Sequence, residues 1–296
     1  MDAMFYGCSS LIYLDLKNFN TTLIKDMEYM FSNCSSLVFL NISSFDVSQV
    51  TNMKNMFYGC SSLTSLEISN FKTNIITNMK HMFNGCSKLT SLNLRNFYTS
   101  FVDNMEFLFA RCSSLSLLNI DNFDTETVYN MESMFSGCSG LENLEISHFK
   151  TDNVINMNSM FRDCSSLTKI DVSHFNTSKV TNMEYIFSGC SLINSLNISN
   201  FDISKIKSLN NMFSGCSSLL SINLSNFITS NILSMRKLFY GCSSLSYLDI
   251  SNFDTSKVTN MEYIFSGCSN LISLNLENFK TSNVVNMNSM FSSCYS

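Results

Sequence analysis

Apolar residues return along this chain with a period of 26, and the pattern inside one period changes character halfway. The stretch beginning at Cys60 reads Cys60-Ser-Ser-Leu63-Thr-Ser-Leu66-Glu67-Ile68-Ser-Asn70-Phe71, then Lys-Thr-Asn-Ile-Ile76-Thr-Asn78-Met79-Lys-His-Met82-Phe83-Asn-Gly85-Cys86. Leu66-Glu67-Ile68 alternates apolar and polar, which predicts a short strand with one buried face. Ile76, Met79, Met82 and Phe83 are spaced three, three and one apart, which predicts one side of a short helix. Gly85 follows where such a helix can end in the left-handed conformation. Asn33 is a tolerable substitute in the equivalent place. Thr181 with Glu184, and Thr259 with Glu262, have the spacing of capping boxes at the helix start. The expected coil is strand, loop, short helix and tight turn.

The register never slips. Cys8, Cys34, Cys60, Cys86, Cys112, Cys138, Cys164, Cys190, Cys216, Cys242, Cys268 and Cys294 stand 26 residues apart without an insertion or deletion. A period in the twenties indicates a solenoid. One coil cannot bury its own apolar side, whereas stacked copies can. The predicted fold is therefore an α/β repeat, a leucine-rich-repeat-like solenoid of about eleven 26-residue coils, each with one short parallel strand and one short helix. Leu14, Leu40, Leu66, Leu92, Leu118, Leu144, Ile170, Leu196, Ile222, Leu248 and Leu274 should form one buried column. No linker or shift in composition interrupts residues 1–296, so a single array is expected. Met1 falls on the methionine column and Ser296 follows shortly after Cys294. The expectation is an uncapped array cut mid-repeat at both ends and belonging to a longer protein, with Leu11–Leu16 and Leu271–Leu276 open to end-to-end association.

Composition narrows the function classes. The net charge is −5, and the 18 Lys and Arg are scattered without a basic run, which argues against nucleic-acid binding. The Met1-Asp2-Ala3-Met4-Phe5 start has neither the basic residues nor the apolar run of a signal peptide. No window approaches the ~20 apolar residues of a membrane span. The cysteines lack the short ligand spacings of a zinc site, and parallel side chains from stacked coils are poorly placed for disulfides. They are expected to be free and buried. His148 and His174 share a column where Asn is usual and read as loop substitutes, with no third metal ligand evident; His81 stands elsewhere. No phosphate loop, nucleophile elbow or convergent acid pair breaks the repeat. No catalytic, cofactor-binding or metal-binding residue is assigned, no cofactor is expected, and the chain is expected not to be an enzyme.

The pattern V-x-N-M-x-x-M-F-x-x-C-x-x-L-x-x-L-x-L-x-N-F resembles the 26-residue repeat of the BspA-like leucine-rich-repeat surface proteins of bacteria and mycoplasmas. Val50-Thr-Asn52-Met53-Lys-Asn-Met56-Phe57-Tyr-Gly-Cys60 and Val258-Thr-Asn260-Met261-Glu-Tyr-Ile264-Phe265-Ser-Gly-Cys268 carry it. The general leucine-rich-repeat pattern is met at Leu63, Leu66 and Ile68. Phe71 stands where that pattern has Asn, so a phenylalanine column is expected in place of the usual Asn ladder. The resemblance implies display at the cell surface or secretion, with adhesion or recognition as the task, and implies no reaction.

One face is the candidate for that task. The residue between the two inward strand positions points outward and is always Asp, Glu or Asn: Asp15, Asn41, Glu67, Asn93, Asn119, Glu145, Asp171, Asn197, Asn223, Asp249 and Asn275. These are poor strand formers, so another force selects them, either Asn-to-Asn bonding between coils or a binding role. The column two residues earlier is mostly small but carries Tyr13, Phe39, Lys169 and Tyr247. Polar ground with a few rigid aromatics suits a protein segment or a glycan. The expected function is a non-enzymatic, surface-displayed recognition or adhesion module; the alternative is an intracellular protein–protein interaction scaffold.

Overall fold

The apolar spacing that predicts a helix is satisfied by a run of β-turns. Within one coil, Met56 N–H donates to Met53 O, Tyr58 N–H to Asn55 O and Cys60 N–H to Phe57 O, each at 3.1 Å. The amides between them leave the coil. Those of Met53, Asn55, Phe57 and Gly59 donate to the carbonyls of Asn78, Lys80, Met82 and Asn84 in the next coil, at 2.8–2.9 Å. A helix would keep all these bonds inside the segment, each amide bonding four residues back. Here alternate amides turn outward along the stack, and two left-handed residues per coil make that possible. Asn55 has φ 56° and Gly59 φ 70°, and the same pair recurs as His81 with Gly85 and as Tyr185 with Gly189. Helical φ is near −63°, so the expected short helix in each coil is wrong. A helix would satisfy itself and leave the neighbouring coil unbonded; the turns bind it.

A computed structural model describes residues 1–296. They form two compact units, Met1–Lys150 and Thr151–Ser296. In the first, β1 (Tyr13–Asp15) pairs in parallel with β2 (Phe39–Asn41), and β3 (Ser91–Asn93) with β4 (Leu117–Asn119). In the second, the equivalent positions meet only as a bridge between Tyr247 and Ser273, while the turn side is bridged at Asn156 to Asn182 and from Ser208 through Ser234 to Asn260. The predicted regular strand in every coil is thus also corrected. The inward leucine column nevertheless holds. Leu40, Leu66, Leu92 and Leu144 are buried in the first unit, as are Ile170, Leu196, Ile222 and Leu248 in the second; Leu14, Leu118 and Leu274 are half-buried.

The centre of each unit is a column of phenylalanines. Phe57, Phe83, Phe109 and Phe135 stack nearly parallel at 5.6–5.7 Å between ring centroids, the offset arrangement aromatic pairs prefer. Phe187, Phe213, Phe239 and Phe265 do the same at 5.7–6.2 Å. Beside them lies a threonine column not anticipated from the sequence. Thr125 is buried; its Oγ1 donates to Lys150 O at 2.9 Å and accepts from Lys150 N–H at 2.7 Å. Thr99 clamps Asp124 likewise, and Thr177 clamps Asp202. Each clamp satisfies two backbone groups that burial would otherwise penalise.

The cysteines are free, and those from Cys34 to Cys268 are buried. Each thiol whose bond is resolved donates to the carbonyl of the Phe 29 residues earlier, as Cys60 does to Phe31 and Cys216 to Phe187. Burial raises their pKa above the ordinary 9.0, to about 12 for Cys112 and Cys216.

The position of Gly59 and Gly85 is left-handed in every coil, yet Arg111 occupies it with φ 60°. A side chain in this conformation costs roughly 1–2 kcal/mol, which glycine avoids at the expense of unfolded-state entropy. Arg111→Gly should therefore stabilise the protein by about 1 kcal/mol. Gly85→Ala, at φ 80° and with its Cβ in ordinary contact with Gly59 at 3.5 Å, should destabilise it by about as much. Urea midpoints of the two variants moving the opposite way would overturn this account.

Candidate partner-binding face

The outward Asp/Asn/Glu column is explained first by backbone chemistry. Asp15 Oδ1 accepts the amide of Lys17 at 3.0 Å, Asn41 that of Ser43, Asn93 that of Arg95 and Asn119 that of Asp121. In the second unit Asp171, Asn197, Asn223, Asp249 and Asn275 accept in the same way. These are Asx turns, in which a short side-chain carbonyl caps the amide two residues on. Aspartate serves as well as asparagine because only the acceptor is used. Asn-to-Asn bonding between coils is not what selects these residues. Glu67 and Glu145 are one methylene longer and make no such bond, so their carboxylates stand exposed. Hydrogen bonds from the Ser173 hydroxyl and amide hold Asp171 below the usual carboxylate range. Those from Ser251 do the same for Asp249. Both therefore stay ionised on the face.

The Asn ladder does exist, one residue before the phenylalanine. Asn70 Nδ2 donates to Ser43 O and Phe45 O of the preceding coil, and Asn252 Nδ2 to Leu224 O at 3.0 Å. These asparagines are exposed while Phe71 and Phe253 are buried, so phenylalanine fills the buried corner as expected and the Asn column runs outside it. His148 occupies an Asn place and bonds as Asn does, its Nε2 lying 3.2 Å from Ile120 O. His174 packs edge-on against Phe175. The two sequence-expected capping boxes are absent. Glu184 N–H is capped by Asn182 Oδ1 and Glu262 N–H by Asn260 Oδ1, while the hydroxyls of Thr181 and Thr259 donate to Ile155 O and Leu233 O of the preceding coil.

The column two residues earlier carries the aromatic groups. Tyr13 and Phe39 are exposed at 59% and 45% and stack face to face, with centroids 4.5 Å apart and planes within 6°. The pairing of β1 with β2 fixes their register. Ile12 and Val38, also exposed, sit beside them, with Val38 N–H donating to Ile12 O at 2.9 Å. Four large apolar residues thus form one patch. Sequence reasoning found Tyr13 and Phe39 but missed Ile12, Val38 and Leu117, because their residue types are those of a core and only the backbone register shows them facing out. Farther along, Glu67, Ser91, Asn93 and Leu117 line a depression of about 310 Å³. In the second unit, Asn223, Tyr247 and Asp249 line one of about 420 Å³. Lys169 and Asn197 lie on the same columns, and Asn275 on the coil after Asp249. No group of three or more His, Cys, Asp or Glu is placed to hold a metal ion. No helix is long and apolar enough to cross a membrane.

A family model matches residues 1–116, 103–222 and 208–296, which together span the chain. The chain belongs to the family described as Mycoplasma protein of unknown function, DUF285. This membership bears out the 26-residue mycoplasma-type repeat recognised in the sequence. Among solved structures, a leucine-rich repeat protein from Bacteroides ovatus overlays with a TM-score of 0.56 at 20% identity, over 97% of this chain and 74% of that one. That overlay shows the leucine-rich-repeat fold. A leucine-rich cell surface protein from Faecalibacterium prausnitzii matches more loosely, with a TM-score of 0.31 at 17% identity over 76% of each chain. A leucine-rich repeat protein from Eubacterium ventriosum gives 0.40 at 16% identity, over 88% of this chain and 81% of that one. No curated protein matches the sequence.

Proposed function

We propose that this DUF285 chain is a non-enzymatic recognition module, displayed at the cell surface or secreted, that binds a protein segment or glycan through its strand face. The observation that carries this is the exposed Tyr13–Phe39 stack with Ile12 and Val38 beside it. Contiguous apolar surface rimmed by polar residues marks interaction sites. Aromatic anchors held rigid before binding contribute most at such sites. The repeat itself supports the reading, since equivalent side chains recur at each coil and a partner with its own periodicity can engage several coils.

The test is binding to a panel of immobilised extracellular-matrix proteins and glycans. Tyr13→Ser with Phe39→Ser should weaken the best binder at least tenfold, about what the loss of two anchors of more than 1 kcal/mol each implies. Leu23→Ser with Phe101→Ser, more exposed still but off this face, should leave it unchanged. Equal loss in both pairs, or in neither, would remove the strand face from the proposal.

A further inference from the structure

The chain is acidic overall, but its acidic excess lies entirely within Met1–Lys150; acidic and basic residues balance in Thr151–Ser296. There, on the turn side, three ammonium groups open into one depression. Lys205, Lys207 and Lys257 line it together with Leu233 and Asn231. All three lysines are exposed. The backbone beneath is rigid: Ile206, between the first two, is buried. Leu233 N–H donates to Lys207 O at 2.8 Å and Thr259 N–H to Leu233 O at 2.9 Å. Lys257 Nζ reaches back to Asn231 Oδ1 at 3.3 Å, and Asn231 Nδ2 in turn donates to Ser204 O. These bonds link Lys257 through Asn231 to the backbone next to Lys205. Lys179, one coil earlier, makes the same bond to Asn153 at 2.7 Å.

Nearby carboxylates feel this group, but each is bonded elsewhere. Asp202 is lowered first by its Ser204 bonds and in part by Lys205, and Asp254 first by its Ser256 bonds and in part by Lys257. Asp202 caps Ser204 N–H at 2.8 Å and Asp254 caps Ser256 N–H at 3.0 Å. Glu184 accepts from Asn210 at 3.0 Å and also from the Ser208 hydroxyl. Asp254 lies 4.0 Å from Lys280, and none of the three acids is within ion-pair distance of Lys205, Lys207 or Lys257. The three exposed cations thus share one depression without a contact ion pair, Lys257 being held by Asn231, beside the exposed Leu233.

We infer that Lys205, Lys207 and Lys257 form a binding site for an anionic polysaccharide, a linear glycan bearing carboxylate or sulfate groups. The spacing favours a glycan over an acidic peptide. Lys205 and Lys257 stand two coils apart, about 9.6 Å at the ~4.8 Å advance of bridged coils, close to the length that two pyranoses add to a linear chain. Side chains on one face of an extended peptide instead recur every ~6.7 Å. Leu233 offers an apolar wall for a sugar face. The depression has no aromatic residue on which a nucleic-acid base could stack, and it holds fewer cations than the clusters of 4–8 that mark anionic membranes.

The test uses the intact chain with heparin and polygalacturonate as sulfated and carboxylated probes, and dextran as the neutral control. Both anionic probes should bind, salt should weaken them, and dextran should not bind. The triple variant Lys205→Gln, Lys207→Gln, Lys257→Gln should bind roughly tenfold more weakly, as expected for three solvent-exposed charge contacts. The control triple Lys25→Gln, Lys72→Gln, Lys88→Gln should bind as the parent does. Equal binding by parent and site triple would overturn the inference, as would equal loss in both triples. Stronger binding to polyglutamate, or binding to phosphatidylserine vesicles with neither glycan bound, would also overturn it by assigning the lysines to a peptide or a membrane. Because none of these lysines lies on the strand face, failure here leaves the aromatic patch untouched.

Discussion

Raising the pH well past 9, toward about 11, is expected to unfold this protein, although it carries no disulfide to be broken by base. The cause is the thiol column. Cys60, Cys86 and Cys112 in the first unit, and Cys190, Cys216 and Cys242 in the second, are almost wholly buried, and desolvation pushes each well above the ordinary value of 9.0. A folded pKa above the unfolded one means that the stabilisation is complete below the unfolded pKa and is lost as pH rises toward the folded one. At pH 10 an unfolded thiol gains about 1.4 kcal/mol by ionising, a gain the folded thiol is denied. Three such thiols per unit cost each unit about 4 kcal/mol at that pH and a similar amount per further pH unit. That is a large share of the 5–15 kcal/mol by which domains are ordinarily stable. Thiolate absorbance should therefore rise together with the loss of circular dichroism. Thiolate signal appearing near pH 9 with the fold intact would show that the column is open to solvent. At neutral pH a thiol reagent should reach only Cys8, which is exposed, and Cys294, which is half-buried, until denaturant is added.

The second large effect is expected at Phe109. Its ring is buried, stacks on Phe83 at 5.7 Å and Phe135 at 5.6 Å, and touches Phe123 of the adjoining column at 6.3 Å. Phe109→Ala removes contacts with two neighbouring coils at once and should cost about 3–5 kcal/mol. Stability in a repeat array is a sum of coil and nearest-neighbour terms, so the loss should also appear as early amide exchange in the coils next to it. Phe101→Ala, on an exposed ring, should cost less than about 0.5 kcal/mol. Equal shifts in urea midpoint for the two variants would contradict the assigned core.

The repeat, its register and the inward columns were legible because burial leaves an unambiguous mark every 26 residues. The turn side was not, because Ile76, Met79, Met82 and Phe83 fit two backbones equally well. Spacings of three and one bring side chains to one face of a helix, and they also do so in overlapping turns whose bonds each span three residues. The residues that decide are the left-handed ones. Their column holds Asn55, His81, Phe107 and Lys237 alike, so composition does not announce it, although the glycines four residues on share its handedness. The acidic column was found but given the wrong structural cause. An acceptor two residues from an amide is a local device, and the absence of that bond at Glu67 and Glu145 is visible only once the backbone is. The Thr125 clamp went unread although Thr73, Thr99, Thr125, Thr151 and Thr177 recur on the 26-residue register, because a small polar residue in a loop is ordinarily solvent-facing.

The alternation of amides also bears on how such a gene changes length. Turn bonds close within three residues, and the bonds between coils join residues about one repeat apart, such as the 25 that separate Met53 from Asn78. Loss or gain of one whole repeat by recombination between similar copies returns every donor to an equivalent acceptor and every phenylalanine to a ring of its own kind. A shift of one residue would set donors against donors throughout a coil. Interior copy number is thus free to vary between descendants of one gene, while the register within a copy is not.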